Sequence, residues 1–283
     1  MNYKYIDSAE KLYRHLTGLR DAHIDTVAID LEGESNLHQY GEKLCLIQMY
    51  DGTDAAIIDP FKTSMKPIKK FLEDRSIMKI MYDAAGDRAF LFKNYGIDLK
   101  TILDLQVAVS LLNFEKRDLS SVLTKTLNVD TGKSKKKFQR YNWTRRPLSS
   151  TAIEYAIEDV IYLFELKDKL LSEIIKSGLL EQFIMKNLQV QNKPHIYSSK
   201  PKLFQSRRYI SLTEREKRVL ERLFEIRDRY AKNINYPPNS VLLNDLLFEL
   251  TTEKATIKDI KFADRIPRAI KNKIIEELKT VIK

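Results

Sequence analysis

The chain has 283 residues, 43% of them hydrophobic and 10% aromatic, with a formal net charge of +10. That length suits one large domain or two ordinary ones, and the apolar fraction is enough for a packed core, which excludes a disordered or low-complexity protein. Cys45 is the only cysteine, which excludes an internal disulfide and a cysteine zinc site. The N-terminus has no signal-peptide core and no apolar run is long enough to span a bilayer, so a reducing cytoplasm is the expected compartment. The basic excess fits a polyanionic partner such as nucleic acid. It fits plain solubility charge or an acidic membrane surface as well.

In chain order, Ile24 to Leu31 reads as a strand, with β-branched residues on alternate positions. Leu44 to Met49 and Ala55 to Ile58 follow as strands, joined through the turn signal Asp51-Gly52, so an antiparallel meander is expected. Pro67 to Leu72 is a predicted helix, Met78 to Met81 a short strand, and Ala84 to Tyr95 a helix closed by Gly96. A last strand, Ile102 to Leu105, precedes predicted helices at Val107 to Leu112, Leu119 to Leu127 and Ser149 to about Ile175. Prolines and serines among basic residues between Val190 and Tyr209 mark a linker. Thr213 with Glu216 forms a capping box ahead of an amphipathic helix to about Asn233, and Pro237-Pro238 then breaks the pattern. The expected domains are residues 1–190, mixed α/β, and 210–283, all-α, with a basic linker over 191–209.

Four carboxylates stand out. Asp30 and Glu32 flank Leu31, so period-2 geometry puts both on one strand face. Adjacent like charges repel unless a cation lies between them. The pair alone fits either a cation site or a solvated strand end. Asp87 opens the helix after the short strand, where an acid can also simply complement the helix dipole. Tyr155 and Asp159 are i and i+4 on a helix and share a face.

In this order, Asp-x-Glu on a strand, Asp87 and Tyr-x-x-x-Asp on a late helix, the motifs resemble the tyrosine branch of the DEDD exonuclease superfamily. Lys136-x-x-Gln139-Arg140-x-Asn142-Trp143-x-x-Arg146-Pro147-Leu148, Leu46-Ile47-Gln48 and Ile58-Asp59-Pro60 resemble ribonuclease D and its exosome relative. Leu223, Ile226, Arg227, Asp228, Ala231, Asn235, Pro237 and Val241-Leu242 resemble the helicase-and-RNase-D C-terminal (HRDC) domain. Leu31, Tyr82, Asp83 and Asn142 depart from the family's commoner residues.

The resemblance implies a ribonuclease H-like mixed sheet flanked by helices, followed by a small HRDC-like helical domain. It implies 3′→5′ hydrolysis of single-stranded RNA from free 3′ ends, as in tRNA processing or RNA turnover, releasing 5′-mononucleotides. Asp30, Glu32, Asp87 and Asp159 would hold two divalent ions, Mg²⁺ or Mn²⁺, and Tyr155 would orient the attacking water. Phe90 and Tyr141 are candidates for stacking on bases, and Lys136 for a backbone contact. A monomer without membrane attachment is expected. Two other readings stay open: a nucleic-acid-binding protein without catalysis, and a DNA exonuclease of the same fold.

Overall fold

A computed structural model describes residues 2–130, 135–195 and 200–282, without the side chains of Lys135 and Lys136. It divides into two compact units. The first comprises Met1–Gly33 and Lys43–His195. Its six-stranded mixed sheet consists of β1 (Tyr3–Ile6), β2 (Thr26–Ser35), β3 (Glu42–Tyr50), β4 (Ala55–Ile58), β5 (Met78–Met81) and β6 (Ile102–Asp104). The spatial order is β1-β4-β3-β2-β5-β6. β3 runs antiparallel to β4, whereas β1 pairs parallel with β4 and β5 parallel with both β2 and β6.

Helices cover both faces, and strand alternation decides what each face receives. Val27 and Ile29 of β2 enter a core with α1 (Ala9–Asp21), α2 (Met65–Leu72) and α3 (Ala85–Tyr95), through Leu12, Ile68, Leu72 and Leu91. Ala28 points the other way, into a core with α4 (Leu105–Leu111), α5 (Leu119–Leu127), α7 (Ser150–Ile161), α8 (Leu163–Lys176) and α9 (Leu180–Asn192). A short turn of helix, α6 (Lys135–Phe138), precedes α7. Period 2 therefore puts Asp30 and Glu32 on the α7 side of the sheet.

Four differences from the sequence expectation matter. β1 and α1 were not anticipated. Residues Tyr3–Ile6 become a strand only by pairing along β4, from Tyr3 opposite Ala55 to Ile6 opposite Ile58. The predicted helix from Ser149 to about Ile175 divides at Tyr162 into α7 and α8. β2 continues to Ser35, so Asp30 and Glu32 are half-buried within the strand rather than at its end. The domain boundary also moves. α9 runs to Asn192, and the buried Arg88 of α3 donates to the Val190 and Gln191 carbonyls at 2.6 and 2.8 Å. A guanidinium there satisfies carbonyls that a helix end leaves open. His195 then stacks on Phe92 with centroids 3.9 Å apart. The first unit thus ends at His195, beyond the expected 190.

The second unit holds Ile196–Lys283 together with the excursion Glu34–Glu42. Among its described residues, the expected linker contains short helical turns. A 3₁₀ turn (Lys202–Gln205) and α10 (Arg207–Ile210) occupy it, with Phe204 packed on Phe224 and Tyr209. Residues 196–199 lie outside the described residues. α11 (Glu214–Asn233) starts on the Thr213–Glu216 capping box, as its sequence requires. α12 (Pro238–Val241), α13 (Asn244–Thr251) and α14 (Arg268–Lys279) close a core around Leu223, Phe248 and Ile274. Arg227 is 3% exposed and donates to Asn244 Oδ1 at 2.6 Å and to the Leu242 carbonyl. Tyr40, from the excursion, donates its hydroxyl to Asp228 at 2.6 Å. Among the described residues, no helix is long and apolar enough to cross a membrane.

Candidate active site

β2 and α7 meet on the second face of the sheet. Ser149 caps α7, its hydroxyl accepting from the Ala152 N–H, so the helix starts at a fixed residue and Tyr155 and Asp159 fall one turn apart. Ala152, Ala156, Ile157 and Val160 are buried and seat this helix. Ligand oxygens of Asp30, Glu32 and Asp159 then lie within 4.8 Å of one another. Asp87 stands outside that group, in the first turn of α3. It is close enough for its charge to act on Glu32.

Burial, and then the charges of Asp30, Asp159 and Asp87, push the Glu32 carboxyl well above its ordinary range. Burial, and then Asp83 and Asp104, push Asp87 up to about 7. Carboxylates gathered this way are unfavourable by themselves. A hard divalent cation relieves the repulsion, and oxygen-only donors without cysteine or histidine suit Mg²⁺ or Mn²⁺ rather than zinc. The residues present fit such a group.

Tyr155 hydrogen-bonds to Asp159, and burial, then the Asp159 and Glu32 charges, hold its phenol above the ordinary range. It therefore keeps its proton at neutral pH and serves as a donor. Tyr155→Phe is expected to lower kcat by about 100-fold, a loss of orientation, while leaving the shape of the pH–rate profile unchanged. A profile that loses a limb in Tyr155→Phe would make the residue a titrating base instead.

The segment before α7 walls the site. Phe138, 4% exposed, stacks on Tyr155 with centroids 4.7 Å apart. Trp143, 3% exposed, packs on Tyr155 at 6.2 Å and on Tyr141 at 4.8 Å. Arg146 anchors this segment to β4: it donates to both Asp59 oxygens, at 2.6 and 2.9 Å, and to the Cys45 and Trp143 carbonyls.

The candidates for substrate contact are placed unevenly. Phe90 is half-buried against Gly33 and Tyr95, so much of its ring is committed to packing on β2. Tyr141 is half-buried within the Phe138–Trp143 cluster rather than projecting from the loop. The Lys136 side chain lies outside the described residues. Sequence reasoning passed over Phe138, whose only local signal is its place beside Gln139. It also passed over Asp104, an N-cap acid at a strand end.

A family model described as 3′-5′ exonuclease matches residues 3–175. Ribonuclease D of Jannaschia sp. (strain CCS1) is 27% identical over 230 residues, covering 78% of this chain. The chain spans 58% of that protein's length. The catalytic core of RRP6 from Trypanosoma brucei superposes with a TM-score of 0.77 at 22% identity, covering 99% of this chain and 79% of that one. Escherichia coli RNase D superposes with a TM-score of 0.73 at 23% identity, covering 99% and 75%.

Proposed function

The chain belongs to the 3′-5′ exonuclease family, and on that premise we propose that it is a metal-dependent exoribonuclease. It removes 5′-mononucleotides from free 3′ ends of single-stranded RNA, in RNA turnover or tRNA 3′ processing. The observation that carries this reading is the convergence of Asp30, Glu32 and Asp159 within 4.8 Å, with the Tyr155 hydroxyl hydrogen-bonded to Asp159. A protein that only bound nucleic acid would have no use for mutually repelling half-buried carboxylates. The likeness to a ribonuclease D supports RNA over DNA. Two divalent ions, Mg²⁺ or Mn²⁺, bound there would supply charge to the attacking and leaving oxygens of the scissile phosphodiester.

Asp30, Glu32 and Asp159 would hold those ions from one strand and one helix, with Asp87 contributing from α3. With metal on Asp159, the single O–H of Tyr155 would turn from that carboxylate to the water and orient it. The second unit is read as an HRDC-like domain, and the whole as a cytoplasmic monomer.

The test is incubation of the purified protein with 3′-labelled single-stranded RNA and DNA under Mg²⁺, Mn²⁺ or EDTA. RNA should shorten from its 3′ end only with metal. A terminal 3′-phosphate should slow it, and a circular RNA should stay intact. Internal cleavage of the circle, or faster loss of the DNA, would refute the reading.

The raised carboxyls give a pH dependence. Glu32 and Asp87 bind protons more tightly in the folded chain than in the unfolded one, where carboxyls titrate near pH ~4. The metal-free protein should therefore lose stability as pH rises from there towards 7. Metal must displace those protons, so half-saturating Mn²⁺ should fall by about tenfold between pH ~6 and ~8. Calorimetric Mn²⁺ titrations at the two pH values check this, and equal midpoints would contradict it.

A further inference from the structure

α3 begins without a cap of its own. Ala84 occupies the N-cap position and contributes no side-chain hydrogen bond. The preceding residue, Asp83, has φ 60, in the left-handed region that L side chains avoid. What holds this entry turn comes from a distant part of the chain. Asp104, at the end of β6 and 3% exposed, accepts from the Asp83 N–H through Oδ1 at 2.9 Å and from the Ala84 N–H through Oδ2 at 3.0 Å. The same Oδ1 caps α4 by accepting from the Gln106 N–H at 3.0 Å. One buried carboxylate thus fixes the starts of two helices, and Asp87 lies in the first turn of one of them.

Asp104 is itself held from outside the sheet. β6 is an edge strand, and its outer N–H groups would be unpaired without a neighbour. Two amide side chains one turn apart on α9 take that place. Asn187 Oδ1 accepts from the Asp104 N–H at 2.7 Å, and Gln191 Oε1 accepts from the Ile102 N–H at 3.1 Å. Each amide is then fixed by its own donor group: Asn187 Nδ2 donates to the Phe183 carbonyl at 3.2 Å and Gln191 Nε2 to the Leu99 carbonyl at 3.0 Å.

We propose that Asp104 is a positioning residue for the metal site, setting the place of the Asp87 carboxylate by pinning the backbone at the entry of α3, and that Asn187 and Gln191 of α9 hold Asp104 in register for that task. This rests on the reading of Asp87 as a ligand for a divalent ion. α9 is then part of the catalytic apparatus although none of its side chains is a metal ligand. Groups that hydrogen-bond a metal ligand directly change metal affinity by about 10- to 100-fold when removed, and Asp104, which acts one step further through the Asp83 and Ala84 N–H groups, belongs at the lower end of that range.

The test uses the full chain carrying Asp104→Asn, Asn187→Ala, Gln191→Ala and, as a control, Leu223→Ala. Leu223 is buried in α11 of the second unit and packs against none of β6, α3 and α9. An asparagine at 104 offers only one acceptor oxygen, so one of the two N–H groups at the α3 entry faces an amide donor. Binding of Mn²⁺ to the RNA-free protein is measured by calorimetry, and kcat, KM and the Mn²⁺ midpoint of activity are measured on single-stranded RNA. Asp104→Asn should raise both Mn²⁺ midpoints by about tenfold and lower kcat by a similar factor, with KM within about twofold of the parent. Asn187→Ala should shift the midpoints in the same direction by a smaller factor. Leu223→Ala should lower the melting temperature and leave both midpoints alone. A folded Asp104→Asn with parental midpoints, or an equal shift in Leu223→Ala, overturns the proposal. If Asp104→Asn does not fold, unchanged midpoints in both Asn187→Ala and Gln191→Ala overturn it. A parent protein that binds no Mn²⁺ and shortens no RNA would instead overturn the functional reading beneath it.

Discussion

Asp30→Asn is expected to lower the rate of RNA shortening by at least about 1,000-fold, equivalent to about 4 kcal/mol of transition-state stabilisation. The substitution leaves the shape of the side chain and removes the charge of one of three carboxylates whose ligand oxygens gather within 4.8 Å. Affinity for RNA should hold or improve, because a negative charge leaves a site that receives phosphates. Fluorescence anisotropy in Ca²⁺ or EDTA reads that directly. The same change should raise the melting temperature of the metal-free protein, because one member of a repelling cluster is gone. Loss of activity together with gained stability separates a functional carboxylate from a structural one. Near-parental turnover, or a variant that melts lower than the parent without metal, would remove Asp30 from the site.

Arg146→Ala should produce the largest loss of stability in the first unit, about 3–5 kcal/mol. Asp59 is fully buried, and the guanidinium contacts both its oxygens. Removing the arginine leaves a charge in the interior and strips the Cys45 and Trp143 carbonyls of their donor. Arg146→Lys should recover little, since an ammonium cannot bridge both oxygens and the carbonyls at once. Arg146→Met with Asp59→Leu should lose less than Arg146→Ala alone, because no orphan charge remains. Activity should fall as well, since Arg146 anchors the segment whose Phe138 stacks on Tyr155. Burial pushes the Asp59 carboxyl up, but the hydrogen bond and charge of Arg146 outweigh it, and the group titrates below the usual carboxylate range. The folded pKa is depressed, so the stabilisation is complete above pH ~4 and disappears as pH falls through the folded value. Thermal melts from pH 7 down to 2 check this. The Arg146→Ala deficit should shrink at the acid end, and a deficit that grows there would contradict the assignment.

What the sequence made legible was what local spacing encodes. Alternation in β2 separates Val27 and Ile29 from Asp30 and Glu32, and one helical turn joins Tyr155 to Asp159. Both patterns survive any detail of packing. What stayed hidden depended on partners remote in the chain. β1 has four residues, and its pairing along β4 gives it its identity. The division between α7 and α8 falls at Tyr162, with neither proline nor glycine to mark it. α9 carries its informative residues as amides, which look like ordinary surface polars until Asn187 and Gln191 are seen against β6. Asp104 is one more acid among many until the N–H groups of Asp83 and Ala84 are found at its oxygens.

The hold of Arg88 on the end of α9 carries a consequence for how the protein opens. Asp87 and Arg88 are neighbours on α3, so the helix that carries the Asp87 carboxylate also grips the carbonyls of Val190 and Gln191. α3 cannot unwind at its first turn without releasing α9, and α9 cannot fray at its last turn without stranding a buried guanidinium. In native-state hydrogen exchange the amides of the two helices should therefore behave as one cooperative unit with a shared opening free energy. Arg88→Met should split them, with α9 exchanging earlier than α3.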